Sequence, residues 1–404
     1  MRLFSPSLLL ALSVGTATLS PGAQAAPLRI EFWHAMGGVE GKVAEYARDF
    51  NRSQNQYEVV PSVQGNYREL LPRLQSAIRA GNPPALAQLE LTQVPALAAA
   101  GSLGDLSRLE DSLPAELTRD FYAPAWKSGE VGGRRYALPW NLSVPVLLYN
   151  AGALGRAGAS APATWSALEA TSARLATNGR RPLVAAADAW TFEANVLSRG
   201  GALVAGAAPA LNSPEAVEAL TQLARMARAG QAQPRSLNEA TRAAFDFARG
   251  QNLFVLASVA NWNDARKLPF FQLGMAPFPC EKAGACTVPL GGGALAVPRG
   301  VGAAQQAGAA AFWQYLMEPA RLADWTKATA YAPPRRAVTP LLADWYARNP
   351  QMRAAHAQME RAVPRPALPE YAAWSALVED AVTQALGGKV TARAALDEAQ
   401  RRAK

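Results

Sequence analysis

Two hydrophobic periods alternate along this chain. Leu28-Arg-Ile-Glu-Phe-Trp33 alternates apolar with polar positions and predicts a strand; Val43, Tyr46, Ala47 and Phe50 then recur at helical spacing. Tyr57-Glu-Val-Val60 predicts a second strand. Leu71, Leu74 and Ile78 mark a second helix, stopped by Gly81-Asn-Pro-Pro, and Ala87-Gln-Leu-Glu-Leu reads as a third strand. Strand, helix, strand, helix, strand opens an α/β lobe with a largely parallel sheet.

A second unit follows the buried-strand run Val144-Pro-Val-Leu-Leu-Tyr-Asn150. Thr164 is placed to cap a helix through Trp165 and Leu168. Ser213-Pro-Glu-Ala starts another, with proline at its first position. Strand-like runs return at Leu253-Phe-Val-Leu-Ala257 and Gly291-Gly-Gly-Ala-Leu-Ala-Val297. Two further helices, around Ala309 to Met317 and Trp374 to Leu386, close the chain. No repeat or low-complexity linker interrupts it, so short strands are expected to join the lobes, which suits a hinge.

Length and charge narrow the picture. At 404 residues the chain exceeds the ~250–300 at which one core stops growing, so two lobes are expected. Half the residues are hydrophobic and 18% are charged, which disfavours disorder. The net charge of +9 is spread over arginines such as Arg68, Arg73, Arg79 and Arg108, with tight pairs only at Arg134-Arg135, Arg180-Arg181, Arg335-Arg336 and Arg401-Arg402. Without a basic run this reads as solvated surface, and no nucleic-acid partner is expected.

Met1 to Ala25 reads as an export signal: Arg2, the apolar run Leu8 to Leu12, then small residues ending Ala23-Gln-Ala25. The apolar run is too short to span a bilayer. In an oxidising compartment Cys280 and Cys286, the only cysteines, are expected to form a local disulfide. No metal site is expected, since His34 and His356 are remote from them. There is no P-loop, no dinucleotide fingerprint and no G-x-S-x-G elbow. A glycoside hydrolase remains a remote alternative, although its paired carboxylates are lacking around Glu90.

Several strings in order resemble one family. They are Phe32-Trp-His-Ala-Met36, Gln64-Gly-Asn-Tyr67, Gly81-Asn-Pro-Pro-Ala85, Pro139-Trp-Asn-Leu-Ser-Val-Pro-Val146, Tyr149-Asn150, Leu290-Gly-Gly-Gly-Ala-Leu295 and Thr329-Ala-Tyr331. Together they are similar to the extracytoplasmic solute-binding proteins of ABC importers. Leu368-Pro-Glu-Tyr-Ala-Ala-Trp374 and Thr391 to Gln400 resemble that family's maltose-binding branch. The resemblance implies a two-lobed periplasmic binding protein fold. Each lobe would hold a mostly parallel sheet flanked by helices, and hinge strands would join them. The first lobe would span 26–141 plus about 295–330, the second 142–294 plus about 331–404. It implies a monomeric periplasmic protein without cofactor, delivering a small molecule to permease and ATPase subunits.

Within the family the strings are most like those of glycerol-phosphate binders, implying sn-glycerol 3-phosphate or a glycerophosphodiester as ligand. The matching contacts are Tyr67 as donor, Glu90 as acceptor of glycerol hydroxyls, Ser143 at the lobe crossing, Ser258 in the second lobe, Gly292 as backbone donor and Tyr331 facing phosphate. Trp190 and Trp262 are candidates for stacking on ligand, although Ala187 falls at the position of the family's cleft tryptophan. The phosphate-gripping arginine of such members would fall near Ser375, where none stands; Arg361 and Arg365 are the nearest. A bidentate arginine is the strongest single phosphate contact, so an oligosaccharide or other sugar or polyol stays open as ligand.

Overall fold

The computed structural model describes residues 26–404 except 178, 268–269, 283 and 285, so the expected export signal lies outside the described residues. Ten strands build two five-stranded sheets. They are β1 (Leu28–His34), β2 (Tyr57–Val63), β3 (Leu86–Glu90), β4 (Ala137–Ser143), β5 (Pro145–Asn150), β6 (Leu183–Ala186), β7 (Ala232–Arg235), β8 (Phe254–Ser258), β9 (Leu273–Pro277) and β10 (Gly291–Ala296). The first sheet runs β2-β1-β3-β10-β4, the second β7-β6-β8-β5-β9.

In the first sheet β1 is parallel to β2 and β3, while β10 is antiparallel to both β3 and β4. Four of the five strands therefore point the same way. The second sheet repeats the arrangement, with β5 as its reversed strand between β8 and β9. Each reversed strand is the one that has just crossed from the other lobe: β5 directly after β4, and β10 after Val288–Pro289. The cleft-facing end of each lobe thus gathers the carboxyl ends of four strands and the amino end of one.

Local chemistry explains the elements that position the site. Gly65, at φ 87°, turns the chain into the helix Tyr67–Arg79. Asn66 Oδ1 then accepts from Arg68 N and Glu69 N, and Glu69 returns the bond to Asn66 N. This capping box fixes Tyr67 at the first helical position. In the second lobe Asp188 caps the helix Ala189–Ser198 through Thr191 N, which sets Trp190 and Glu193 in its first turns. Thr164 and Ser213 cap the helices Trp165–Leu175 and Pro214–Arg228. The helix Glu40–Ser53 buries Val43, Tyr46, Ala47 and Phe50 against a first-lobe core that includes Phe32, Trp140 and Phe312.

The carboxyl-terminal third holds more helices than the sequence pattern predicts. Pro319–Thr329, Pro350–His356 and Ala392–Ala403 stand beside Ala303–Leu316 and Tyr371–Leu386. Ala332 pairs with Leu142 at the end of β4, and Arg335 with Phe121 and Asp120. The chain re-enters the first sheet at Gly291, opposite Ser143. Cys280 and Cys286 are joined in a disulfide with Cα atoms 5.5 Å apart.

Ala330 closes the helix Pro319–Thr329 with φ 65°, a left-handed conformation that costs an alanine about 1–2 kcal/mol. Ala330→Gly is expected to raise stability by up to ~1 kcal/mol, the relieved strain less glycine's greater unfolded freedom. A denaturant midpoint below wild type would contradict this. Ala330 O accepts from His356 Nε2 at 3.0 Å, leaving Nδ1 to accept from Tyr346 Oη at 2.9 Å.

Burial pushes His356 and His34 each down to about 4, so both are neutral when folded. Each pKa is depressed below its ordinary value of 6.5, so the unfolded chain binds the proton first as pH falls. Their contribution is fully present above about pH 6.5 and is lost progressively down to about pH 4. Urea midpoints that decline across this window check the point, with His356→Gln declining less steeply. An identical slope in the variant would remove His356 from the account.

Candidate functional site

Tyr67 is the centre of a polar cluster at the carboxyl ends of β3 and β4. Gln88 Nε2 donates to its hydroxyl oxygen at 3.0 Å and Asn141 Nδ2 at 2.9 Å, while Gln88 Nε2 also reaches Asn141 Oδ1 at 2.9 Å. Gln88 Oε1 accepts from Ala35 N at 2.7 Å, which fixes the amide's orientation. With both lone pairs of the phenol occupied, its proton is left to donate outward. Burial, then the nearby Tyr331, pushes Tyr67 well above its ordinary value, so that proton stays on. Tyr331 is likewise raised by burial and stacks on Trp325 with ring planes 5° apart.

The glycine run of β10 lets these groups approach. A Cβ on Gly293 would lie 2.7 Å from Tyr67 Oη and 2.7 Å from Leu89 O. At Gly292, with φ 94°, it would lie 1.9 Å from Asn141 O, so only glycine fits there. At Gly291 it would lie 2.6 Å from the indole of Trp190, whose Nε1 donates to Pro289 O at 3.2 Å. Trp190 therefore stands at the crossing between lobes.

Glu90 ends β3 with a quarter of its side chain exposed; one oxygen accepts from Thr92 Oγ1 and the other lies 3.8 Å from Arg365 Nη1. Arg365 comes from the other lobe's chain and is buried. Its Nε lies 2.7 Å from Glu193 Oε2, and its guanidinium sits 5.3 Å from the centre of the Tyr371 ring. Burial disfavours its charge, yet Glu193, Tyr371 and Glu90 outweigh that and raise it further. Burial raises Glu193 in turn, and Arg365 opposes the rise. Arg365 is delivered here by the parallel pairing of Ala362–Val363 with Val288–Pro289, next to the second crossing. Arg361 instead points at the disulfide loop, donating to Gly284 O at 2.9 Å.

Further contacts close the lobes on each other. Ser143 Oγ and Ser258 Oγ are hydrogen-bonded across the crossing, Arg68 approaches Glu379 at 3.5 Å, and Asn263 Nδ2 donates to Ala328 O at 2.7 Å. Ser258 also caps its own turn, accepting from Ala260 N.

Of the residues singled out in the sequence, Tyr67, Glu90, Ser143, Ser258, Gly292, Tyr331 and Trp190 lie along this seam between the lobes. Trp262 follows directly on the cap of Ser258 and is the first residue of the next helix. The Ser258–Asn261 capping box turns the chain at once, and the indole is driven inward, 7% exposed. Ser375 Oγ is bonded back to Tyr371 O within its own helix. Gln88, Asn141 and Glu193 were not anticipated as members of the cluster, and of the two arginines left open, Arg361 and Arg365, it is Arg365 that stands in it. For the first two a signal existed, since each is a polar residue between apolar neighbours in a mostly buried strand.

A family model described as bacterial extracellular solute-binding protein matches residues 45–354. The sn-glycerol-3-phosphate-binding periplasmic protein UgpB of Escherichia coli (strain K12) is 27% identical over 421 residues, covering 97% of this chain and 95% of its own. The crystal structure of UgpB from Mycobacterium tuberculosis in complex with glycerophosphocholine superposes with a TM-score of 0.82 at 23% identity, over 94% of this chain and 97% of that one. The cyclic alpha-maltosyl-1,6-maltose binding protein from Arthrobacter globiformis gives 0.81 at 23% identity, over 93% and 98%. Among the described residues no helix is long and apolar enough to cross a membrane.

Proposed function

Because the chain belongs to the family of bacterial extracellular solute-binding proteins and serves as the substrate-binding component of an ABC importer, we propose that its solute is a glycerophosphodiester such as glycerophosphocholine. The observation that carries this reading is the charge balance around Arg365. That guanidinium is already shared by Glu193 and Glu90, and Asp188 and Glu379 stand nearby with Arg68 beside Glu379. Four carboxyl groups against two guanidiniums give a poor reception to a phosphomonoester, which carries about 1.5–2 negative charges near pH 7. A phosphodiester brings one, and a choline group brings its own cation.

In this reading Glu90 accepts the glycerol hydroxyls and Tyr67 donates its remaining proton. Tyr331 and Arg365 face the phosphate, and Trp190 lies against the remaining part of the solute. Contacts from both lobes at once shift the population towards the closed form, which is the form offered to the permease. The relatives support the class: one is named for glycerol 3-phosphate, and a structural neighbour holds glycerophosphocholine. A second reading, a neutral sugar or polyol, is favoured by the same charge balance and by the maltosyl-maltose-binding neighbour.

Calorimetry of the mature protein against glycerophosphocholine, glycerol 3-phosphate and maltose tests the choice. The diester is expected to bind at least about tenfold more tightly than the monoester at pH 7, the worth of one unfavourable charge contact. Tighter binding of the monoester would overturn the charge argument. Binding of maltose alone would move the assignment to the second reading.

A further inference from the structure

The second lobe carries a basic concavity that solute capture does not use. Arg180 N donates to Thr177 O at 3.0 Å, and Gly179 has φ 75°. Asn252, 3% exposed, donates to Arg181 O at 2.6 Å and fastens this segment to the loop that leads into β8. Arg249 stands on that same loop, and Arg235 ends the edge strand β7. Between these three segments lies a cavity of about 480 Å³, lined by Arg180, Arg181, Arg235 and Arg249 with a single acid, Asp246. Arg235 already takes Asp246 as its partner and has Glu239 at 3.8 Å. Among the described residues Arg180, Arg181 and Arg249 have no ion pair.

Three guanidiniums without an acidic partner, beside a fourth that is already paired, concentrate positive charge on one hollow, and an anion there relieves it. Their planar forks match phosphate oxygens two at a time. The hollow is far larger than one ion needs, since a water's share of liquid volume is about 30 Å³. The amides of Gln233 and Gln251 add neutral donors on its wall. We propose that this concavity is a second binding site, on the face of the second lobe, for a multivalent phosphate-bearing anion, either free in solution or carried on a lipid headgroup.

The two sources and the two sites are separable. Inorganic pyrophosphate is titrated calorimetrically into the mature protein, and sedimentation is followed with phosphatidylcholine vesicles with and without phosphatidylglycerol. Each is repeated on Arg180→Ala/Arg181→Ala, on Arg249→Gln and on Glu90→Ala. Pyrophosphate binding weakened at least about tenfold in the arginine variants and unchanged in Glu90→Ala supports a soluble ligand. Sedimentation that needs phosphatidylglycerol and is lost in the arginine variants supports the lipid source. Binding of neither probe overturns the proposal, as does binding that the arginine variants leave intact or that Glu90→Ala abolishes. The substituted arginines at 180, 181 and 249 are exposed, so circular dichroism is expected to match wild type.

Discussion

Glu90→Ala is expected to abolish solute capture while the protein folds as before. The carboxylate ends its strand partly exposed, and its local bond is to the hydroxyl of Thr92, two residues on. Arg365 stays neutralised, because Glu193 lies nearer, at 2.7 Å against 3.8 Å. What disappears is the acceptor for two ligand hydroxyls. Each charge-assisted bond is worth about 1.5–3 kcal/mol, so the dissociation constant should rise by roughly 10²–10⁴-fold. Unliganded stability should move by less than ~1 kcal/mol, as for a partly exposed group with weak partners. Calorimetry with whichever solute the wild type binds, beside urea unfolding of the unliganded protein, separates the two effects. Wild-type affinity in the variant would remove Glu90 from the site.

The second large effect falls on stability. Arg365→Met should destabilise the protein by about 3–5 kcal/mol, because it leaves Glu193 buried without its cation. Glu193 is 5% exposed on a helix whose neighbouring positions are apolar, so water cannot replace the guanidinium. The companion variant Arg365→Met/Glu193→Gln removes both charges and should recover most of the loss. Solute binding should remain impaired in the double variant, since in the proposed reading Arg365 also faces the phosphate. Equal stability of the single and double variants would mean that the two side chains are not coupled.

The sequence was most readable where local pattern and local chemistry agree. The alternation at Leu28 to Trp33, the helix repeat of Val43 to Phe50 and the caps at Thr164 and Ser213 all depend on residues a few positions apart. Three strands of the second sheet were not legible. Leu183–Ala186 is four residues of mostly small side chains. Ala232–Arg235 is an edge strand containing Pro234, and Leu273–Pro277 is Leu-Gly-Met-Ala-Pro without a β-branched residue. Their partners in the sheet decide them.

The cluster around Tyr67 divides in the same way. Tyr67 and Glu90 sit at element ends that the pattern marks, whereas Arg365 reaches Glu90 only through a two-residue parallel pairing with Val288–Pro289. Nothing within reach of a sequence window reports that pairing. Counting back to Ser375 therefore suggested a missing arginine, while another stands beside the crossing.

Strand β10 sits between β3 and β4 but follows them in the chain by about 200 and 150 residues. Until Gly291–Ala296 has been synthesised, two strand edges face an empty slot, and the first lobe has no continuous sheet to bury its core against. The amino-terminal lobe must therefore finish folding after most of the other lobe's chain exists. Vectorial synthesis and the order of assembly run in opposite senses here, so nascent chains should stay open and protease-sensitive until late.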